Sequence, residues 1–262
     1  MIGSSHPKAF VLPSASRVLS PLADTRLSTS GFLSLEERLA LEDALSPARS
    51  LRAHFDLVRE GAPADALFIV TEGWVCRYAT TPEGGRQISA LLIPGDIANL
   101  DALLFDQIDH GVRSITDARV VALARHRALA LAERYPAIAR AFTWFSLAEN
   151  AILRKWTLSL GRHSAVQRLA HLLCELSVRL DAQRGEESRF HFPLTQELLA
   201  DVLGLTAVHV NRSMQRLRSE GLIETASRTM TIRDVPKLRE LGGFDPRYLQ
   251  VGSAAHTTGG LK

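Results

Sequence analysis

Two amphipathic segments meet at Gly204 in "LTQELLADVLGLTAVHVNRSMQRLRSEGLIE", residues 194–224. Thr195 can cap the first segment, which carries Glu197 in its first turn and apolar residues at helical spacing behind it. Gly204 then ends that helix, because glycine enters the left-handed region of a sharp turn without a steric penalty. Thr206 can cap the second segment. The sequence therefore predicts two short helices joined by a tight turn.

The second of these helices has an apolar inner face and a basic outer face. Val210, Met214 and Leu217 follow one another at helical spacing and fall on the inner face. Residues 212–218 contain three arginines, and no acid appears before Glu220. Such a face suits a DNA major groove, where arginine pairs with guanine and asparagine with adenine. The candidate DNA-binding residues are Thr206, Val208, His209, Asn211, Arg212 and Arg216.

An ordinary helical hairpin is the alternative to a DNA-binding module here. The next segment, "GLIETASRTMTIRD", predicts two short strands around Ser227 and Arg228, which is the wing of a winged helix. The net charge of +3 also lies entirely in residues 161–262, which carry 14 Lys and Arg against 11 Asp and Glu. Both observations favour the DNA-binding interpretation.

The first half of the chain alternates short apolar runs with glycines. "ALFIVTEGWVCRYAT", "RQISALLIPGDI" and "ARVVALA" are typical of strands, and Ser34 can cap a short helix before them. The spacing of the glycines fits tight turns between antiparallel strands, so we predict a β-roll or jelly roll over residues 31–135. Residues 1–30 lack any period and predict a flexible N-terminal extension.

The period becomes helical from residue 136, with large apolar side chains on one stripe. This helix, residues 136–162, can bury the stripe against its own β-roll or against the same helix of a second subunit, and the stripe favours the second subunit. We then expect a winged helix-turn-helix over residues 163–247 and a flexible tail over residues 248–262. The candidate dimerisation residues are Ile138, Phe142, Phe145, Ile152 and Trp156.

In this order, the parts resemble the family of the cyclic-AMP receptor protein and the fumarate–nitrate reduction regulator, over roughly residues 30–235. The resemblance rests on "ALFIVTEGWVCRYATTPEGGRQISALLIPGDI", on the aromatic helix and, most specifically, on residues 194–224. It implies an α+β fold with a cyclic-nucleotide-binding-like β-roll, a long dimerisation helix and a C-terminal winged helix-turn-helix. It also implies a homodimeric transcription regulator with double-stranded DNA and RNA polymerase as partners. Its target would be an inverted repeat with half-sites about 34 Å apart.

The chain departs from the family's cyclic-nucleotide pattern. Binders of cyclic nucleotides carry Gly-Glu after the "PGD" turn and Arg-Ser further on, whereas Ala98 and Asn99 follow "PGDI" here. Ile108 and Asp109 align with the Arg-Ser pair. A carboxylate repels a phosphate, so we predict no tight cyclic-AMP binding through the usual contacts. The N-terminal region holds no cysteine cluster, which excludes the family's iron–sulfur chemistry. The effector stays unknown, and we expect no cofactor.

Two further departures concern base readout and haem ligation. The founding members place a glutamate at the second position of the recognition helix, where this chain has Val208, so the preferred DNA sequence should differ there. No histidine stands in a pattern typical of a haem ligand. We interpret five of them as surface or locally bonded residues: His54, His110, His126, His163 and His171.

Other classes of protein are disfavoured. No nucleophile elbow, phosphate-binding loop, dinucleotide fingerprint or zinc-protease helix is present, so we expect neither an enzyme nor a metal site, and we interpret "DQIDH", residues 106–110, as an exposed loop. Cys76 and Cys174 are expected to be reduced, buried thiols. No apolar run spans a membrane, which predicts a cytoplasmic protein. A ligand-sensing module that acts through a protein partner remains the alternative function.

Overall fold

The computed structural model describes residues 31–63 and 65–250, apart from the side chain of Arg184. The extension expected at residues 1–30, and residues 251–262 of the expected tail, lie outside the described residues. In the described part, a β-roll is followed by a long helix and a helical C-terminal domain. No helix in this part is both long and apolar enough to cross a membrane.

The roll consists of two antiparallel sheets. One sheet has the order β1-β7-β3, with β1 at Arg49–Leu51, β7 at Ala118–Ala124 and β3 at Ala66–Glu72; the other has the order β2-β6-β4-β5, with β2 at Asp56–Val58, β6 at Gly111–Ser114, β4 at Val75–Thr80 and β5 at Arg86–Leu92. Gly73, between β3 and β4, has φ of 79°, and an added Cβ would clash with the Asp117 carbonyl. This turn therefore requires glycine.

Helices flank the roll on both sides in sequence. α1 (Leu35–Asp43) begins at the expected cap, because the Ser34 hydroxyl accepts from the Glu37 N–H and the Glu37 carboxylate accepts from the Ser34 N–H. α2 (Arg125–Arg134) follows β7 directly, and α3 (Pro136–Arg162) runs for 27 residues. Pro136 fits at the first position of α3 because that position needs no N–H donor.

The C-terminal domain is a winged helix-turn-helix. Its helices are α4 (Ala165–Arg179), α5 (Gln196–Leu203), α6 (Ala207–Ser219) and α7 (Val235–Gly242). Its strands are β8 (Gln183–Arg184), β9 (Glu187–His191), β10 (Ile223–Ala226) and β11 (Thr229–Ile232), in the sheet order β10-β11-β9-β8. The hairpin of β10 and β11 is the wing expected around Ser227.

The apolar stripe of α3 is buried within a single chain, which corrects the expected dimer seam. The N-terminal half of α3 packs into the core of the β1-β7-β3 sheet, and its C-terminal half packs into a second core that the roll shares with the C-terminal domain. Side chains with 0–7% exposure in one chain are not available to a second subunit. The expectation is therefore wrong for all five residues, Ile138, Phe142, Phe145, Ile152 and Trp156.

The described part of the chain ends in a short helix that belongs to the core. A 3-10 helix spans Pro246–Leu249, where Tyr248 and Leu249 are 8% and 2% exposed. The Tyr248 hydroxyl donates to the Glu175 carboxylate at 2.8 Å and lies 3.1 Å from His171 Nε2. The expectation of a flexible tail from residue 248 is therefore wrong at its first residues.

Candidate DNA-binding face and its connection to the roll

Local capping sets the angle between α5 and α6. The Thr195 hydroxyl accepts from the Leu198 N–H at the start of α5, and the Thr206 hydroxyl accepts from the His209 N–H at the start of α6. Gly204 lies between them with φ of 60° and ψ of 45°, as expected for the turn. An added Cβ at Gly204 would lie 3.0 Å from Leu160 Cδ2, so this turn also packs closely against the end of α3.

The sequence predicted correctly which residues of α6 point inward. Val210, Met214 and Leu217 are 0–6% exposed and belong to the core that the roll shares with the C-terminal domain. The candidate DNA-binding residues lie on the opposite side, where Asn211 is half-buried and the others are exposed: Thr206, Val208, His209, Arg212 and Arg216. The structure therefore brings the six candidates together on one accessible face.

The exposed side chains differ in how free they are to bind a ligand. Arg216 Nε donates to Glu220 Oε1 at 2.8 Å, and the His209 ring lies 3.1 Å from the Thr206 hydroxyl. Arg212 has no hydrogen bond or ion pair to any of the residues that the structure describes. Among the arginines of this face, Arg212 is thus ready for contact, whereas Arg216 must first leave Glu220.

The wing adds a basic residue that the sequence did not single out as a DNA contact. Ser227 and Arg228 form the turn between β10 and β11 with φ of 46° and 60°, which non-glycine residues rarely adopt. The Arg228 carbonyl accepts from the Phe192 N–H at 2.7 Å, which fixes the turn against the domain. The Arg228 side chain is exposed. A tight two-residue hairpin next to a basic helix is the signal that could have identified it.

Arg168 of α4 ties the helix-turn-helix to the end of α3. Its guanidinium donates to the carbonyls of Leu160 at 2.7 Å, His163 at 3.0 Å and Leu203 at 2.9 Å. The carbonyls at a helix C-terminus have no partner within the helix, so Arg168 satisfies two such ends at once. The C-termini of α3 and α5 are therefore held at a fixed distance.

The roll also contacts the helix-turn-helix directly. Arg86 in β5 forms an ion pair with Asp201 in α5, with Nη2 and Oδ2 2.6 Å apart, and Gln87 Nε2 donates to the Val202 carbonyl at 3.2 Å. These contacts join residues 115 positions apart in the sequence. The β4–β5 hairpin therefore rests on the helix that precedes α6.

A buried ion-pair cluster makes a second connection. Arg179 in α4 contacts Asp96 at 2.7 Å, Glu175 at 3.3 Å and the Leu91 carbonyl at 2.8 Å, and all three side chains are at most 6% exposed. Burial on its own would lower the pKa of Arg179, but the carboxylates of Asp96 and Glu175 outweigh it and raise the pKa. Glu175 Oε2 also accepts from Trp156 Nε1 at 2.9 Å. The "PGD" turn of the roll is thereby joined to α3 and α4.

A cavity of about 510 Å³ lies between the roll and α3. Its charged lining consists of one guanidinium, Arg77, with three carboxylates and one histidine: Asp101, Asp109, Glu149 and His110. The guanidinium of Arg77 already donates to the Ala98 carbonyl at 3.0 Å and lies 3.7 Å from the Glu149 carboxylate. We name this space the roll cavity.

The residues that align with the cyclic-nucleotide contacts have other roles here. Asn99 accepts from the Phe68 N–H and donates to the Ala66 carbonyl, both at 2.9 Å, so its side chain holds β3 in place. Ile108 is 1% exposed in the roll core. Asp109 lines the roll cavity.

Two sequence interpretations need correction in this region. The loop at residues 106–110 is only partly exposed, because Ile108 and His110 are 1% and 9% exposed. His110 is buried but locally bonded, as expected, because its Nδ1 lies 2.9 Å from Oδ1 of the adjacent Asp109. His171 is 4% exposed, and its Nδ1 donates to the Gly242 carbonyl, 71 positions away, so the bond is not local. Burial lowers the pKa of His171 and favours the neutral ring.

Two family models match this chain. The cyclic nucleotide-binding domain matches residues 48–135, and the Crp-like helix-turn-helix domain matches residues 167–241. Together they cover more than half of the chain. Both matches coincide with the domains described above, the roll and the winged helix-turn-helix.

Curated relatives and solved structures agree with these models. Transcriptional activator protein FnrL of Cereibacter sphaeroides is 28% identical over 214 residues, which cover 80% of this chain and 86% of that protein. Transcriptional activator protein anr of Pseudomonas aeruginosa is 25% identical over 211 residues, covering 80% and 86%. The structure of FixK2 from Bradyrhizobium japonicum is 26% identical, with a TM-score of 0.69 over 74% of this chain and 96% of that one. The chain belongs to the Crp/Fnr family of transcription regulators.

Proposed function

We propose that this regulator acts in the cytoplasm as a homodimer that reads an inverted repeat in double-stranded DNA. The observation that carries the proposal is the outward face of α6, on which Arg212, without an ion pair to any described residue, stands beside Asn211 and Arg216. Arg212 would pair with guanine and Asn211 with adenine in the major groove. Arg228 in the wing would contact the phosphate backbone. The DNA-bound dimer would offer RNA polymerase a contact surface at a fixed position on the promoter.

The exposed side of α3 supplies a dimer surface in place of the buried stripe. Thr143, Ser146, Asn150, Leu153 and Thr157 are exposed and follow one another at spacings of three and four residues, as in a coiled coil. The side chains of Thr143, Asn150 and Thr157 donate to the carbonyl four residues earlier, at 2.9–3.0 Å. These hydrogen bonds lie within one chain, so they would persist when a second α3 covers this face.

The effector that controls this dimer is not cyclic AMP bound through the usual contacts. Asn99 is committed to the backbone of β3, and Arg77 is committed to the Ala98 carbonyl. The roll cavity has more carboxylates than cationic side chains, which disfavours a phosphate. We therefore propose a sensory roll for a ligand of different chemistry.

Selection of bound duplexes from a random DNA library tests the DNA-binding proposal. The selected sequence should be an approximate inverted repeat with half-sites about 34 Å apart. Arg212→Ala should weaken binding by about 1–3 kcal/mol and relax one position per half-site. The matched control is Arg119→Ala, which removes the same charge from an exposed arginine on the roll. Loss of binding without any change in preference would refute the base contact.

Salt dependence separates DNA binding from action through a protein partner. Affinity for random duplex DNA should fall on the order of a thousandfold between about 50 and 200 mM salt, because each phosphate contact releases counterions. A module that acts only through a protein partner would bind duplex DNA at neither concentration.

Sedimentation tests the dimer face. Leu153→Glu should yield monomers, because Leu153 is 46% exposed on the proposed face. Leu35→Glu is the control, since Leu35 is 64% exposed and belongs to α1 rather than to the proposed face. A Leu153→Glu protein that still sediments as a dimer would place the interface elsewhere.

A further inference from the structure

Three potential metal ligands meet on the wall of the roll cavity. Asp101 lies in the 3-10 helix Leu100–Leu103, and Asp109 and His110 immediately precede β6. His110 Nδ1 is 2.9 Å from Asp109 Oδ1 and 3.5 Å from Asp101 Oδ2. One ligand atom from each of the three residues lies within 4.8 Å of the other two. Two segments of the roll that are not adjacent in the sequence thus bring their donors to one point.

The charges at this point are not balanced by other side chains. Neither Asp101 nor Asp109 has a lysine or arginine within ion-pair distance in the described part of the chain, and the only partner of both is the His110 ring. His110 is nine-tenths buried, and its Nε2 has no hydrogen-bond partner among the described residues. Two carboxylates therefore meet at one imidazole ring, with the Asp101 side chain 21% exposed and the Asp109 side chain 89% exposed.

We propose that Asp101, Asp109 and His110 bind a divalent transition-metal ion of the zinc class. His110 Nδ1 and one oxygen of each aspartate would be the ligands, and the cation would neutralise both carboxylates. Tetrahedral bonds of about 2.0–2.2 Å place ligand atoms about 3.3–3.6 Å apart. The 3.5 Å between Nδ1 and Asp101 Oδ2 lies within that range, whereas the 2.9 Å between Nδ1 and Asp109 Oδ1 is a hydrogen-bond distance that must lengthen when the ion binds.

The ligand types and the open cavity define the class of metal and its coordination. An imidazole ligand favours Zn²⁺, Co²⁺ or Ni²⁺ over Mg²⁺ and Ca²⁺, which prefer oxygen ligands. Three protein ligands leave a fourth position, as in metal sites that also bind water or a small ligand. The three ligand residues line the roll cavity together with Glu149 and Asn150 of α3. Metal binding at the roll does not depend on the proposed DNA contacts.

Titration of the untagged, metal-free full chain with Co²⁺ tests the site. We expect one ion per chain, with the visible absorption of four-coordinate Co²⁺, and displacement of the Co²⁺ by Zn²⁺ but not by Mg²⁺. His110→Ala and Asp101→Asn should each weaken binding at least tenfold. Asp101→Asn is nearly isosteric, so it tests the site even if His110→Ala fails to fold.

The controls lie close to the site but outside it. His126→Ala removes an exposed histidine, and Asp106→Asn removes a carboxylate that pairs with Arg125. Both should bind Co²⁺ with unchanged affinity. The proposal is overturned if the wild-type chain shows no saturable binding, or if Asp101→Asn and a folded His110→Ala bind as tightly as the two controls.

Discussion

Replacement of Arg179 tests how strongly the buried cluster joins the roll to the C-terminal domain. Arg179→Met keeps most of the side-chain volume but leaves Asp96 and Glu175 as neighbouring buried carboxylates without their cation. Removal of one partner from a buried ion pair costs about 3–5 kcal/mol of folding free energy, because the remaining charge stays desolvated. We expect a loss of that size in urea unfolding followed by tryptophan fluorescence, since Trp156 bonds to Glu175.

The chain contains a matched control for this experiment. Arg233 also bridges two carboxylates, those of Glu187 and Glu224, but it is 43% exposed and solvent screens the pair. Arg233→Met should therefore leave the urea midpoint almost unchanged. The double variant Arg179→Met with Asp96→Asn should regain part of the lost stability, because it removes one uncompensated charge. Equal midpoints for Arg179→Met and Arg233→Met would refute the reasoning.

Three further predictions concern the turn, the DNA-binding face and the thiols. Gly204→Ala should destabilise the fold by about 1–2 kcal/mol in urea unfolding, because alanine disfavours a φ of 60°. Glu220→Gln should tighten binding to random duplex DNA up to about fivefold in a fluorescence titration, because it frees Arg216 from a surface ion pair. Burial raises the pKa of Cys76 to about 11 and that of Cys174 to about 12, so neither should react with a thiol reagent at pH 8 until the chain unfolds.

Each of these three has a control or a contrary outcome. Gly185→Ala meets the same backbone strain at φ of 62°, and its Cβ would have no described atom within 4 Å beyond its chain neighbours, so only Gly204→Ala should lose additional folding free energy through contact with Leu160. A Glu220→Gln protein with unchanged affinity would mean that Arg216 does not reach DNA. Two thiols per chain should react in urea. Between pH 9 and 11 the two thiols stay protonated in the folded chain but ionise in the unfolded chain. The free energy of unfolding should therefore fall as the pH rises over that range.

Local signals explain why the helix-turn-helix was predictable. Thr195, Gly204 and Thr206 act within their own turns, and the apolar spacing of Val210, Met214 and Leu217 is decided by one helix. The wing was predictable in the same way, from the turn at Ser227 and Arg228 between two short strands. Short strands such as β1, with three residues, are too brief for an alternating pattern, and α2 has no capping hydrogen bond from a side chain to mark its start.

Nonlocal packing explains what the sequence could not predict. The apolar stripe on α3 indicates correctly that one face of the helix is buried. The helical spacing of its residues does not show whether Phe145 and Trp156 pack against their own chain or against a second subunit. Tyr248 is held by Glu175, 73 positions earlier, which no pattern near residue 248 reveals. His110 is likewise buried by the fold around it, and only the structure brings Asp101 to its ring.

The core that surrounds Trp156 contains Trp74, Ile88 and Leu91 from the roll together with residues of α4, α5 and α6. A C-terminal fragment that begins just after α3 would therefore expose apolar side chains that the roll normally covers. It would also lack the ion pair between Arg86 and Asp201. Such a fragment should aggregate rather than bind DNA independently. The two halves share one apolar core, so a disturbance in the roll has a path to α6 through packed side chains.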